Sequence, residues 1–259
     1  MERFDFLKLK SQFVSIINDS LDFINAHKDK KVKTKERNDI ATFADEYIET
    51  QLREFISTLY PTHRIIGEEK GDNGVSSCYE WLIDPIDGTV NYANNLPFYG
   101  TSIALRYNHE TIFGIIYDIP HKDVYYTIKG EGVFKNDKRL YVSKRKKLKE
   151  SIVTICLAPS YDEVYTVRVL DIIKKLQPFV RGIRIIVCTT YELMWVSSGV
   201  TEAMINVKPS VGVGSACGKL MVLEAGGKVS NIEGNERKFI DTLLVSNGLV
   251  HDQIVKIIN

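Results

Sequence analysis

Residues 81–92 read WLIDPIDGTVNY, and the reading of this stretch decides the fold. The apolar run ends at Asp84, Pro85 cannot donate to a sheet ladder, and Gly88 permits a turn that a β-carbon opposes. A buried strand therefore ends in a bend, where Asp84 and Asp87 can face one point together with the carbonyl of Ile86 and the hydroxyl of Thr89. These are hard oxygen donors, the type that Mg2+ takes. Gly67-Glu68-Glu69 follows a second short apolar run, Arg64-Ile65-Ile66, and Thr42-x-x-Asp45 lies near the start of a helical pattern. Carboxylates gathered this way repel one another unless a cation neutralises them. A divalent ion is the simplest explanation of the set.

The rest of the composition narrows the partners. With 259 residues and 44% hydrophobic content, the chain can bury a sizeable core in one large domain or two intimate ones. The 34 basic and 33 acidic residues leave a net charge of +1, so no global field draws the chain to nucleic acid or membrane. Any charged ligand must be recognised locally. No apolar run approaches the ~18 residues that span a bilayer, and the start, MERFDFLKLK, does not resemble a signal peptide. The expectation is a cytoplasmic protein whose four scattered cysteines, Cys78, Cys156, Cys188 and Cys217, are buried small residues in a reducing compartment.

Apolar spacing predicts amphipathic helices over 4–24 and 43–59. Between them HKDKKVKTKERND reads as an exposed loop, with Asn38 or Asp39 capping the second helix. From Arg64 onward short β-rich runs follow (RII, YEWLI, GTSIALRY, TIFGIIYDI, DVYYTI, GVFKN), with a hairpin around Asn108-His109-Glu110. A basic stretch, SKRKKLKES at 143–151, then separates an N-terminal α+β half, 1–145, from a C-terminal α/β half, 146–259. No aromatic residue interleaves its lysines, so it reads as a solvated linker rather than a nucleic-acid patch. The second half alternates strand-like runs (SIVTICLA, RGIRIIVC, AMINV, DTLLVSN) with helix-like ones, which argues a layered α/β unit. The five histidines, including His63 and His251, show no metal-ligand spacing and read as surface or turn residues. GVGSACG at 212–218 lacks the Gly-Lys-Ser/Thr ending of a nucleotide-binding loop.

IGEE at 66–69, DPIDGTVNY at 84–92 and EAGG at 224–227 resemble, in order and spacing, the inositol monophosphatase family of Mg2+-dependent, lithium-sensitive phosphatases. The resemblance implies a mixed α/β fold, a layered α-β-α-β-α sandwich of the sugar phosphatase type. It implies that Glu68, Asp84 and the Ile86 carbonyl hold one Mg2+, and that Asp84 and Asp87 share a second. By the same resemblance Thr89 and Glu68 activate the attacking water, Asp45 supports a weaker metal site, the amides of Gly88 and Thr89 hold the phosphate, and Arg184 and Asp87 lie at the substrate. Lys33 or Lys35 could reach a phosphate. The implied function is phosphomonoester hydrolysis on a sugar, inositol or related small ester, with no membrane or nucleic-acid partner, in a homodimer.

Two departures bear on that function. Family members carry Trp-Asp ahead of the helix that ends in EAGG, and that aspartate's place is Gly214 here. No acidic residue lies between Glu202 and Glu224 to replace it. The family's Gly-Ser/Thr-Ala stretch falls on Val187-Cys188-Thr189, and its substrate-contacting acid on Val207. The alternative is therefore a catalytically impaired member that serves as a phosphate-binding or protein-interaction subunit.

Overall fold

The computed structural model describes residues 2–27, 32–36, 39–157, 162–208, 213–236 and 242–259; for His27, 32–36 and 39–42 it describes the backbone alone. The two expected amphipathic helices are α1 (Phe6–His27) and α2 (Phe43–Leu59). Between them the expected loop is instead an antiparallel backbone hairpin, β1 (Val32–Glu36) with β2 (Asp39–Thr42), pairing Val32 with Thr42. Charge without apolar alternation hides such a hairpin. Asp39 consequently lies in a strand rather than at a helix cap, and Asn38 lies outside the described residues. So do the side chains of Lys33, Lys35 and Thr42.

The following run builds an eight-stranded sheet from β3 (Arg64–Gly67), β4 (Gly71–Asp72), β5 (Tyr79–Asp87), β6 (Gly100–Tyr107), β7 (Glu110–Asp118), β8 (Asp123–Ile128), β9 (Gly132–Lys135) and β10 (Lys138–Arg139). Its order is β10-β9-β8-β7-β6-β5-β3-β4, antiparallel except for β3 beside β5. A five-residue helix, α3 (Thr89–Ala93), follows β5. Further on, β11 (Ile152–Cys156), α4 (Glu163–Leu176), β12 (Gly182–Arg184), α5 (Thr189–Ser197), β13 (Ala203–Asn206), α6 (Ser215–Glu224), β14 (Lys228–Ser230), β15 (Leu243–Ser246) and α7 (His251–Ile258) give a five-stranded sheet ordered β12-β11-β13-β15-β14. The strand expected over RGIRIIVC thus stops at Arg184.

Alternation along the strands sets the layers, because successive side chains point to opposite faces. Trp81, Ile83, Ile103, Leu105, Phe113 and Ile115 pack with α1 and α2. Their neighbours Leu82, Ala104 and Ile116 pack instead with Tyr191 and Met194 of α5 and Met221 of α6. Those two helices are apolar on their far side as well, where Leu193, Val196 and Val222 meet Met204, Leu243 and Val245. The last face, Val153, Ile155, Ile205 and Leu244, is covered by α4 and α7. The result is the α-β-α-β-α sandwich. Gly218 lets α5 and α6 touch, since a β-carbon there would lie 2.5 Å from Leu193.

Two histidine readings and one cysteine reading need correction. His63 is buried, its Nδ1 accepting from Trp81 Nε1 at 3.0 Å, and His251 is buried between the hydroxyls of Ser230 and Ser246, each at 2.8 Å. Their polar partners lie far off in sequence or in a run that reads as a strand, so local polarity suggested a surface. Cys78 is exposed in the segment before β5. The lysines of 143–151 do face solvent, yet Asn247 Nδ2 holds the carbonyls of Ser143 and Arg145 at 3.1 and 2.8 Å. Among the described residues, no helix is long and apolar enough to cross a membrane.

Candidate active site

The site is built by a fault in a sheet. Strand β5 is buried along its length and pairs antiparallel with β6, Asp84 opposite Ser102 and Asp87 opposite Gly100. Three steps on β5 thus match two on β6, a bulge that inserts one residue. In a regular strand residues 84 and 87 would point to opposite faces. The bulge falls at Pro85, which has no N–H to lose, and Thr101 Oγ1 donates to the freed Pro85 carbonyl at 2.7 Å. Beyond Asp87 the chain turns through Gly88 at φ 88°, where a β-carbon would also lie 2.6 Å from the Phe98 carbonyl. Glycine is required there on both counts.

Beside this bulge the parallel ladder with β3 runs one bond past the strand, as Glu68 N–H donates to the Ile83 carbonyl at 3.0 Å. Glu68 therefore sits next to Asp84, and the two carboxyls are hydrogen-bonded. Asp84 is buried, with Oδ1 lacking any partner. Burial first, then the charges of Glu68 and Asp87, the bond to Glu68 and the charge of Asp45, push its carboxyl well above the usual carboxylate range. Asp45, buried in the first turn of α2, accepts from Thr89 Oγ1 at 3.2 Å, and the same hydroxyl lies 3.0 Å from the Ile86 carbonyl.

Asp87 is held from the opposite layer. Thr190 N–H at the start of α5 donates to its carboxylate, and Cys188 Sγ donates to its backbone carbonyl at 3.4 Å. Burial raises the Asp87 carboxyl, and the bonds from Thr190, Cys188 and Thr189 oppose that rise. Val187, immediately before, has φ 53°, a left-handed conformation that β-branched residues avoid. This is where the resemblance expects glycine. Further into α5, Glu192 is buried with neither carboxylate oxygen partnered, and burial followed by the charge of Asp87 drives it well above its ordinary range.

Gly214 stands at the N-terminus of α6, and a β-carbon on it would lie 2.5 Å from Asp84 Oδ2. An aspartate at this position would therefore project into the cluster. Arg184, by contrast, is exposed on the edge strand β12, with Nη1 donating to the Ile183 carbonyl at 2.9 Å. No described contact ties it to the carboxylates. Val207 packs in the core beneath α4 and α7. Among the described residues, no three His, Cys, Asp or Glu side chains already converge as a finished metal shell. The donor chemistry nonetheless suits Mg2+: a buried Asp84 oxygen without a partner, adjoining carboxylates and the Ile86 carbonyl are all hard oxygen donors.

Sequence reasoning overlooked Thr190, Glu192 and Glu49. The first two need the α5 layer to be docked before they mean anything. Glu49, one turn after Asp45 on the same face of α2, carried a usable signal in its i,i+4 spacing.

A five-layer sandwich with carboxylates gathered at the end of a bulged central strand is an architecture of the sugar-phosphatase type. The chain belongs to the inositol monophosphatase family, whose family model matches residues 3–259. It is 30% identical over 234 residues to the fructose-1,6-bisphosphatase/inositol-1-monophosphatase of Aquifex aeolicus, covering 89% of this chain and 86% of that protein. It is 32% identical over 234 residues to a putative Nus factor SuhB of Neisseria meningitidis, covering 88% of each. Among solved structures, a Thermotoga maritima IMPase superposes with a TM-score of 0.87 at 27% identity, covering 99% of this chain and 97% of that one. Membership supports phosphatase chemistry, and with it a hydrolase.

Proposed function

We propose that this chain is a Mg2+-dependent phosphomonoesterase acting on a sugar, inositol or related small phosphate ester, with water as nucleophile. The observation that carries the reading is the β5 bulge, which brings Asp84 and Asp87 to one side beside Glu68 and leaves a buried Asp84 oxygen without a partner. Glu68, Asp84 and the Ile86 carbonyl would hold one Mg2+, and Asp84 and Asp87 a second. Bound there, Mg2+ would acidify a water and screen the charge of the phosphate ester. The Thr89 hydroxyl, donating to Asp45 or to the Ile86 carbonyl, orients the attacking water and passes its proton toward Asp45. The amides of Gly88 and Thr89 hold the phosphate, and the Thr190 bond fixes Asp87 against it.

A second reading has one observation in its favour. With Gly214 in the place of an aspartate, only Asp84 and Asp87 supply charge to the second ion, which is then weak, and the chain would serve as a phosphate-binding or interaction subunit. The relative named SuhB is compatible with such a role. The test is phosphate release from a panel of sugar and inositol phosphates over a wide Mg2+ range, beside Asp87→Asn. Release that Asp87→Asn abolishes supports the enzyme. No release at any Mg2+ concentration supports the second reading.

A further inference from the structure

The fully buried carboxylate of Glu49 belongs to no motif of the site, yet it grips the segment that carries Glu68. Its Oε2 accepts from the Glu69 N–H at 2.7 Å, and its Oε1 accepts from the Lys70 N–H at 3.1 Å and from Arg53 Nη1 at 3.1 Å. Arg53 Nη1 also donates to the Gly71 carbonyl at 2.8 Å. On the other side of Glu68, a β-carbon on Gly67 would lie 2.0 Å from Glu49 Oε1 and 2.3 Å from its carboxyl carbon. Gly67 is not among the residues with positive φ, so it is glycine for space and not for conformation. The first residue of Gly67-Glu68-Glu69 is thus small because a carboxylate from α2 lies where its side chain would be.

Glu68 stands between Gly67, over which the Glu49 carboxylate lies, and Glu69, whose amide that carboxylate holds, and its own N–H is spent on the Ile83 carbonyl. Its Cα direction, and through that its contact with Asp84, is set from α2. We propose that Glu49 is a positioning residue that orients Glu68 for the divalent cation, acting through the Glu69 and Lys70 amides and the space over Gly67. This rests on the metal reading given above. The charge matters as much as the shape: a carboxylate is acceptor-only at both oxygens, whereas a glutamine would turn an NH2 toward one of the two amides or toward the guanidinium. Because Asp45 and Glu49 lie one turn apart on the same face, one helix holds both Thr89 and the Glu68 turn.

The experiment is calorimetric titration with MgCl2 of wild type, Glu49→Gln, Glu68→Gln and the double variant Glu49→Gln/Glu68→Gln, each checked for folding by circular dichroism. Losses of outer groups around a metal cost on the order of 10 to 100-fold in affinity. Glu49→Gln is expected to weaken Mg2+ by that amount in wild type and to have little effect once Glu68 is already changed. Gly67→Ala supplies a second route: it is expected to weaken Mg2+ alone, and to cost nothing further in a Glu49→Ala background, where the 2.0 Å contact is gone. Unchanged affinity in Glu49→Gln, or an equal loss with and without Glu68, overturns the assignment. A wild type that binds no Mg2+ overturns the metal reading itself, and with it this inference.

Discussion

Replacing Gly214 by aspartate separates two effects of opposite sign. The new β-carbon would lie 2.5 Å from Asp84 Oδ2, so Asp84 must swing aside and a further carboxyl joins a cluster in which Asp84 is already pushed well above its usual range. Two like charges ~4 Å apart at an effective dielectric of ~20 repel by about 4 kcal/mol. Neutralising an ordinary aspartate at pH 7 costs about as much, so the metal-free variant should lose up to about 4 kcal/mol of stability. Gly214 is also the N-cap of α6, but exchanging glycine for aspartate at a cap gains only a few tenths of a kcal/mol. Repulsion wins without metal. With Mg2+ present the added carboxylate should tighten binding by at least 10 to 100-fold, about 1.4–2.7 kcal/mol. Thermal melts in EDTA and in Mg2+, with calorimetric titration, read both. The expected pattern is a lower melting temperature than wild type in EDTA and a larger rise on adding Mg2+. An unchanged Mg2+ affinity would show that position 214 does not face the cation and would refute the reasoning.

Further outcomes follow from single residues. Val187→Gly removes a β-branched side chain from φ 53°, a conformation costing roughly 1–2 kcal/mol, against a smaller entropic loss in the unfolded chain, so urea denaturation should show a gain of about 1 kcal/mol. His251 is held neutral by burial, its pKa lowered from 6.5 to about 4. Between those values the unfolded chain binds more protons, so stability should be full above pH 6.5 and fall by about 3 kcal/mol on going down to about pH 4. His251→Gln should flatten that slope, and an equal slope in both proteins would count against it. Glu224 of the EAGG run accepts from Gly130 N–H at 2.8 Å and Gly132 N–H at 3.0 Å, clasping the β8–β9 turn about 15 Å of helix away from Gly214. Glu224→Ala should cost about 1 kcal/mol of stability and leave turnover unchanged in a steady-state assay.

The layers were legible where short β-rich runs were bounded by turn residues, since strands buried on both faces read as near-continuous apolar runs. Residues 79–83, 100–107 and 111–118 advertise central strands, and α1 and α2 show their buried faces at helical spacing. The carboxylates of the site were legible as residue types near strand ends, and the position of Gly214 as an absence. What joins them was not legible. The bulge depends on the register between β5 and β6, which no local pattern in DPIDG specifies, and the strain at Val187 depends on α5 docking against Asp87. His63 looked like a turn residue because its partner, Trp81, lies on a strand that pairs only in the folded sheet. Charged residues without alternation concealed the β1–β2 hairpin for the same reason: backbone pairing needs no side-chain pattern when neither face is read as apolar.

The central claim is that the bulge of β5 and the turn after β3 form a divalent-cation site. Anomalous diffraction from crystals soaked in MnCl2, Mn2+ sharing the octahedral oxygen preference of Mg2+, tests it directly. The expected result is an anomalous peak among the carboxylates of Glu68 and Asp84 and the Ile86 carbonyl, lost in Asp84→Asn. A map with no peak there at millimolar Mn2+, or one that Asp84→Asn leaves unchanged, would contradict it.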